Sequence, residues 1–119
     1  MNVETKWRRL LPWLRKNFPA RYPVRVRRVA TEKMSKDDGD CDLFDWQNKR
    51  NSIGFRIRIN RNRSLSLMLD AVLHEWAHAL SWFAPGDEPH SAEWGVAYAE
   101  LYRAFWKWNF GRKSTEECE

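Results

Sequence analysis

A chain of 119 residues has room for one hydrophobic core and no second independent domain. Its 43% hydrophobic content excludes global disorder. No apolar run reaches the roughly 18–20 residues that span a membrane, and the two cysteines, Cys41 and Cys118, form neither a disulfide framework nor a C-x-x-C zinc pair. Formal net charge is +5, from 21 Lys+Arg against 16 Asp+Glu. That balance suits an anionic partner such as nucleic acid, and equally a plain basic surface.

In chain order, "VETKWRRLLPWLRKNF" sets Val3, Trp7, Leu10, Leu11 and Leu14 on one face and reads as an amphipathic helix. Pro12 inside it predicts a kink or a second short helix. Nothing at this end resembles a secretion signal, so a reducing, cytoplasmic setting is expected. Pro19 and Pro23 impose extended or turning chain. "YPVRVRRVA" alternates Val24 and Val26 with Arg25 and Arg27, the pattern of a half-buried strand. "KMSKDDGDCD" reads as an acidic loop around Gly39, and "LFDWQ" as a short strand. "SIGFRIRIN" is the clearest strand, with Ile53, Phe55, Ile57 and Ile59 on one side and Arg56 and Arg58 on the other.

The pattern then changes to helical period in "RNRSLSLMLDAVLHEWAHALSWF", with Ser64 or Ser66 as cap. Leu65, Met68, Leu69, Val72, Leu73, Trp76, Ala77 and Leu80 give this helix a broad apolar face. "APGDEPHS" is a loop. A last helix is predicted from about Ala92 to Trp108, capped by Ser91, with Glu93 suiting its first turn. The eight tryptophans mostly fall at helical spacing among apolar residues and read as core. The order helix, strands, helix, helix predicts a small α+β domain over residues 1–112, with a sheet of about three strands packed on the second helix, and a frayed tail over 113–119.

Within that helix, "LHEWAHAL" spells H-E-x-x-H. Residues four apart lie one above the other on a helix, so His74 and His78 can offer ring nitrogens to one ion. Glu75 is placed to reach a water at that ion rather than to bind it, the division of labour of zinc peptidases. His90, the remaining histidine, follows a loop long enough to fold the last helix back beside the motif helix, and is the leading third ligand. Asp87, Glu88, Glu93 and Glu100 compete for that place. Tyr98 and Tyr102 are candidate oxyanion stabilisers.

"IRIN", "LHEWAHAL" and "HSAEWGVAYAELY" together resemble the SprT-like (Spartan-type) metalloprotease domain, over roughly residues 50–106. The resemblance implies a zincin-like (minigluzincin-type) fold, one zinc per chain held by His74, His78 and His90, Glu75 as general base, and Trp94 packed behind the third histidine. Ser91 stands where the family usually has Gly, and the zinc ribbon of many members is missing. The resemblance also implies a protein or peptide substrate near DNA, hence a cytoplasmic or nucleoid-associated enzyme that does not enter a membrane. Any DNA contact then falls to this domain, for which Arg25, Arg27, Arg56, Arg58, Arg61 and Arg63 form a candidate phosphate-tracking stripe. "SIGFRIRIN" is the candidate edge strand for an extended substrate. The rival readings are a nucleic-acid-binding protein with a structural zinc, and a metal-free interaction protein; oligomeric state is open.

Overall fold

The computed structural model describes residues 3–33, 37–45, 53–85 and 89–118, with side chains described in those ranges except at 3, 32 and 110–118. It is an α+β domain of three helices and a three-stranded mixed sheet. Helix α1 spans Val3–Asn17, strand β1 Val24–Val29, β2 Gly39–Asp45, β3 Ile53–Asn60, helix α2 Leu65–Ser81 and helix α3 Ala92–Cys118, with one 3-10 turn at Thr31–Lys33.

Helix α1 continues through Pro12 as one element. The proline lacks only one N–H and lies on the exposed side, while Leu10 and Leu14 are fully buried; tertiary burial outweighs the local penalty. In the sheet, β3 is central, parallel to β1 and antiparallel to β2. This corrects the assignment of "SIGFRIRIN" to an edge: both of its sides are paired, and β1 and β2 are the outer strands. The register sets Val24 beside Phe55 and Val26 beside Ile57 on the core face. On the opposite face Arg25 lies beside Arg56 and Arg27 beside Arg58.

Strand β2 begins at Gly39, inside the segment that reads as an acidic loop. Asp and Gly disfavour strands, but Asp40 and Asp42 stand opposite Arg58 and Arg56. Opposite charges across a ladder stabilise it, and Cys41 and Leu43, alternating with the acids, turn half-buried toward the core. Trp46 and Gln47, the end of the predicted "LFDWQ" strand, lie outside the described residues.

Helix α2 is capped by Ser64, whose hydroxyl accepts from the Leu67 N–H at 3.3 Å. It lies on the core face of the sheet, burying Val72, Leu73, Trp76 and Ala77. The Trp76 indole N–H donates to the Phe18 carbonyl at 2.8 Å, which ties the helix to the end of α1. Helix α3 starts at its Ser91 cap, which accepts from the Trp94 N–H at 3.2 Å. It packs on α2 through Leu101, fully buried, and on α1 through a Trp13–Trp108 stack at 4.9 Å. It runs on to Cys118 rather than stopping near Trp108; the polar composition of that stretch hides the continuation from an apolar-periodicity reading.

Asn60 closes β3 and is fully buried. Its side-chain oxygen accepts from the Thr31 hydroxyl at 3.1 Å and the Asn62 N–H at 2.9 Å, and its amide donates to the Asp37 carbonyl at 3.2 Å. One side chain therefore joins the exit of β1, the Asp37–Gly39 turn and the entry to α2. Removing it strands polar groups from water, so Asn60→Ala is expected to lower stability by about 2–3 kcal/mol. A urea midpoint unchanged from the native chain would show that these bonds contribute nothing.

Candidate metal centre

The seating of α2 decides which way its polar residues face. With Trp76 and Ala77 buried on the sheet, His74 and His78 point toward α3, half-buried. Glu75, about 100° further round the helix, points instead toward β2 and is 7% exposed. Helix α3 runs back along α2 and delivers His90 from the turn before its Ser91 cap. The Nε2 of His74 lies 3.3 Å from the Nε2 of His78 and 3.3 Å from that of His90. Among the described residues these three histidines are the one group of His, Cys, Asp and Glu whose donor atoms gather closely enough to hold an ion, all within 4.8 Å of one another.

Donor chemistry fits zinc. Two nitrogens about 2.0–2.1 Å from one tetrahedral ion stand roughly 3.3–3.4 Å apart, the spacing of His74 from both His78 and His90. Burial lowers the pKa of His74, with His90 adding to the effect and Asp70 opposing it. Burial, with His74 and His90 alongside, brings His78 down to about 4. At pH 7 both rings are neutral, with lone pairs available to a cation. Glu93 and Glu100 are exposed and outside the cluster; Asp87 and Glu88 lie outside the described residues.

Trp94 is the platform of the site. Its ring stands 4.9 Å from His74, 5.3 Å from His78 and 4.6 Å from His90, nearly parallel to His78. Its indole N–H donates to the His74 carbonyl at 3.2 Å, which locks the platform to α2. One turn along α3 and 5.3 Å from the Trp94 ring, Tyr98 presents its ring edge-on to His74 at 5.9 Å while its hydroxyl donates to Asp70, one turn before His74. Tyr102 stacks on Tyr98 at 6.1 Å and is 40% exposed. Of the two tyrosines, Tyr98 is the one against the histidines.

The Glu75 carboxylate lies 3.9 Å from the His74 Nε2. Burial first, then the charges of Asp40, Asp37 and Asp42, push its pKa up to about 7, the range in which a carboxyl group exchanges protons near neutrality. Gly39 makes this placement possible. A Cβ there would meet the Arg58 carbonyl oxygen at 3.1 Å and the Glu75 Cγ at 3.2 Å, so a side chain would press on the acid and on the neighbouring strand, which would have to give by a few tenths of an ångström. Sequence reading missed Gly39, Asp70 and the aspartates of β2. Their one signal was a glycine set among acids that alternate with Cys41 and Leu43.

The arginine stripe is partly spoken for. Arg58 forms two bonds to Asp40 through Nε, at 3.0 and 3.1 Å, besides a shorter one from its terminal nitrogen. Arg56 approaches Asp42 at 3.4 Å and lies over the Phe44 ring, and Arg63 reaches Asp38 at 2.7 Å. Arg25, Arg27 and Arg61 are exposed.

An α+β domain carrying a three-histidine cluster on and beside an H-E-x-x-H helix is metallopeptidase-like in layout. The model of the SprT-like family matches residues 7–115, and the chain belongs to that family. Neither the curated proteins nor the solved structures contain a match.

Two outcomes check this construction. His90→Ala is expected to abolish tight zinc binding, and Trp94→Ala to weaken it about 10–100-fold, both read by competition with a chromophoric chelator; native affinity in both variants would remove the centre. Cys41 is kept as a thiol by burial, then by Glu75, Asp42 and Asp40. In a Cys118→Ser background its alkylation by iodoacetamide at pH 8 should be far slower folded than in urea, and equal rates would contradict the buried placement.

Proposed function

We propose that this protein is a zinc-dependent endopeptidase with a zincin-like fold, cutting proteins that lie near DNA. The observation that carries the reading is the convergence of three imidazoles, with the His74 Nε2 3.3 Å from those of both His78 and His90 and all three donors within 4.8 Å, beside a buried carboxylate. His74, His78 and His90 would hold one zinc per chain. Zinc bound there would supply Lewis acidity, making water nucleophilic near neutral pH and polarising a peptide carbonyl.

The residues of the chain supply the rest. Glu75 removes the proton from the attacking water and delivers it to the departing amine, so hydrolysis leaves the acid in its starting state. Trp94 keeps the imidazoles aimed. Tyr98, against His74, is the candidate donor to the developing oxyanion, once its hydroxyl exchanges Asp70 for substrate. The outer edge of β2 is the place for an extended substrate to add as a strand, because β2 starts at Gly39, beside Glu75.

A nucleic-acid-associated role is supported by the net charge of +5 and by exposed Arg25, Arg27 and Arg61. A cytoplasmic or nucleoid-associated setting follows from the same reading; no helix among the described residues is long and apolar enough to cross a membrane. A purely structural zinc would call for a fourth protein ligand, and among the described residues none joins the three histidines.

Glu75→Gln separates chemistry from binding. The variant should keep about one zinc per chain and lose about 10²–10⁴-fold in hydrolysis of an unfolded protein, assayed with and without single-stranded DNA. An unchanged rate would remove Glu75 as base. A zinc-loaded native chain inert under both conditions would sink the peptidase reading.

A further inference from the structure

Beside the metal centre, α2 and α3 diverge around a cavity of about 620 Å³ that neither the histidines nor Glu75 enter. Its floor is buried, with Leu69 at 7% and Leu73 at 1% exposure, while Leu67, Tyr102 and Trp106 remain 48%, 40% and 47% exposed. Large apolar side chains left open around a concave space mark a binding site more often than a bare surface. Tyr98, Tyr102 and Trp106 follow one another along α3, with ring centroids 6.1 and 6.3 Å apart. The charged residues lining the cavity are one cation, Lys6, and one anion, Asp70, so it selects by apolar area and shape.

The cavity adjoins the metal centre. Leu73 in its floor directly precedes His74, and Tyr98 in its wall stands 5.9 Å from the His74 ring. Leu67 and Asp70 also line a smaller cavity that contains His74 and Glu75, so the two share a wall. From Leu73 back to Leu65 the helix rises about 12 Å. An extended polypeptide covers that span in about four residues.

We propose that this groove is a specificity subsite that takes a large apolar side chain, such as Leu, Phe or Trp, two to four residues from the scissile bond of the substrate polypeptide. The inference rests on the peptidase reading and adds a substrate class to it: segments that carry exposed apolar residues, as unfolded or damaged proteins do. A second copy of the chain is the competing occupant. The polypeptide is favoured because Leu67 and Asp70 line both this groove and the smaller cavity that holds His74 and Glu75.

The test uses the full zinc-loaded chain with two peptides that differ only at that position, Phe against Ser, and the cut sites of an unfolded protein mapped by mass spectrometry. Cuts should cluster two to four residues from large apolar side chains, and the Phe peptide should have a KM about ten- to hundred-fold lower. Trp106→Ala, at an exposed position outside the smaller cavity, should erase that difference while leaving kcat on the Ser peptide unchanged. Binding of the labelled peptides to the Glu75→Gln protein, read by fluorescence anisotropy, should show the same preference and the same loss. Cleavage without apolar preference overturns the subsite and leaves the peptidase reading intact. An inert enzyme that still binds the Phe peptide through Trp106 overturns the peptidase reading and leaves the groove. A concentration-dependent dimer that Leu67→Ala dissolves, with no peptide bound, assigns the groove to a second copy and overturns the proposal.

Discussion

The centre depends on how α2 is seated against the sheet. Burial of Val72, Leu73, Trp76 and Ala77, with the indole of Trp76 bonded to the Phe18 carbonyl, fixes the rotation of the helix about its axis. With that angle set, positions 74 and 78 can face only α3, and position 75 only β2. The motif thus spreads its chemistry over two adjoining faces of one helix. The histidine-bearing side meets the polypeptide that brings His90. The acidic side meets the strand that controls proton affinity. A modest rotation of α2 would separate both sets of partners at once, which makes the ordinary apolar packing behind the helix part of what assembles the site.

Strand β2 acts on both faces of the sheet. Its aspartates stand opposite arginines of β3 on the outer face, where pairing offsets the poor strand propensity of the acids. Through the sheet, the charges of Asp40 and Asp42, with Asp37 of the preceding turn, act on Glu75 and disfavour its ionised form. The same acids thus hold the strand in register and tune the carboxyl behind it. Asn60 completes the arrangement from the other end, since it anchors the turn that carries Asp37.

Much of the site was legible in the sequence because it is encoded in local spacing. H-E-x-x-H on a helix, serines before both long helices, and a histidine just past a Pro/Gly loop are short-range signals, and the structure gathers all three histidines as that spacing implies. The strands of "YPVRVRRVA" and "SIGFRIRIN" declared themselves through alternation. Long-range pairing was hidden. The first half of strand β2 looks like a loop until Arg56 and Arg58 are set opposite its aspartates, and the same pairing makes β3 central where the family resemblance suggested an edge. Pro12 and the polar end of α3 misled for a related reason: propensity and periodicity describe a helix in isolation, whereas Leu10, Leu14 and Trp108 are held by neighbours.

The carboxylates that meet Arg28, Arg56, Arg58 and Arg63 have a consequence for any polyanion that approaches this domain. Each such arginine already has an intramolecular counterion tethered to the fold, one that cannot diffuse away as a small ion does. A phosphate docking there would have to exchange places with a protein carboxylate and leave that carboxylate to water, with little mobile salt released. These arginines therefore offer an approaching polyanion less attraction than their formal charges suggest.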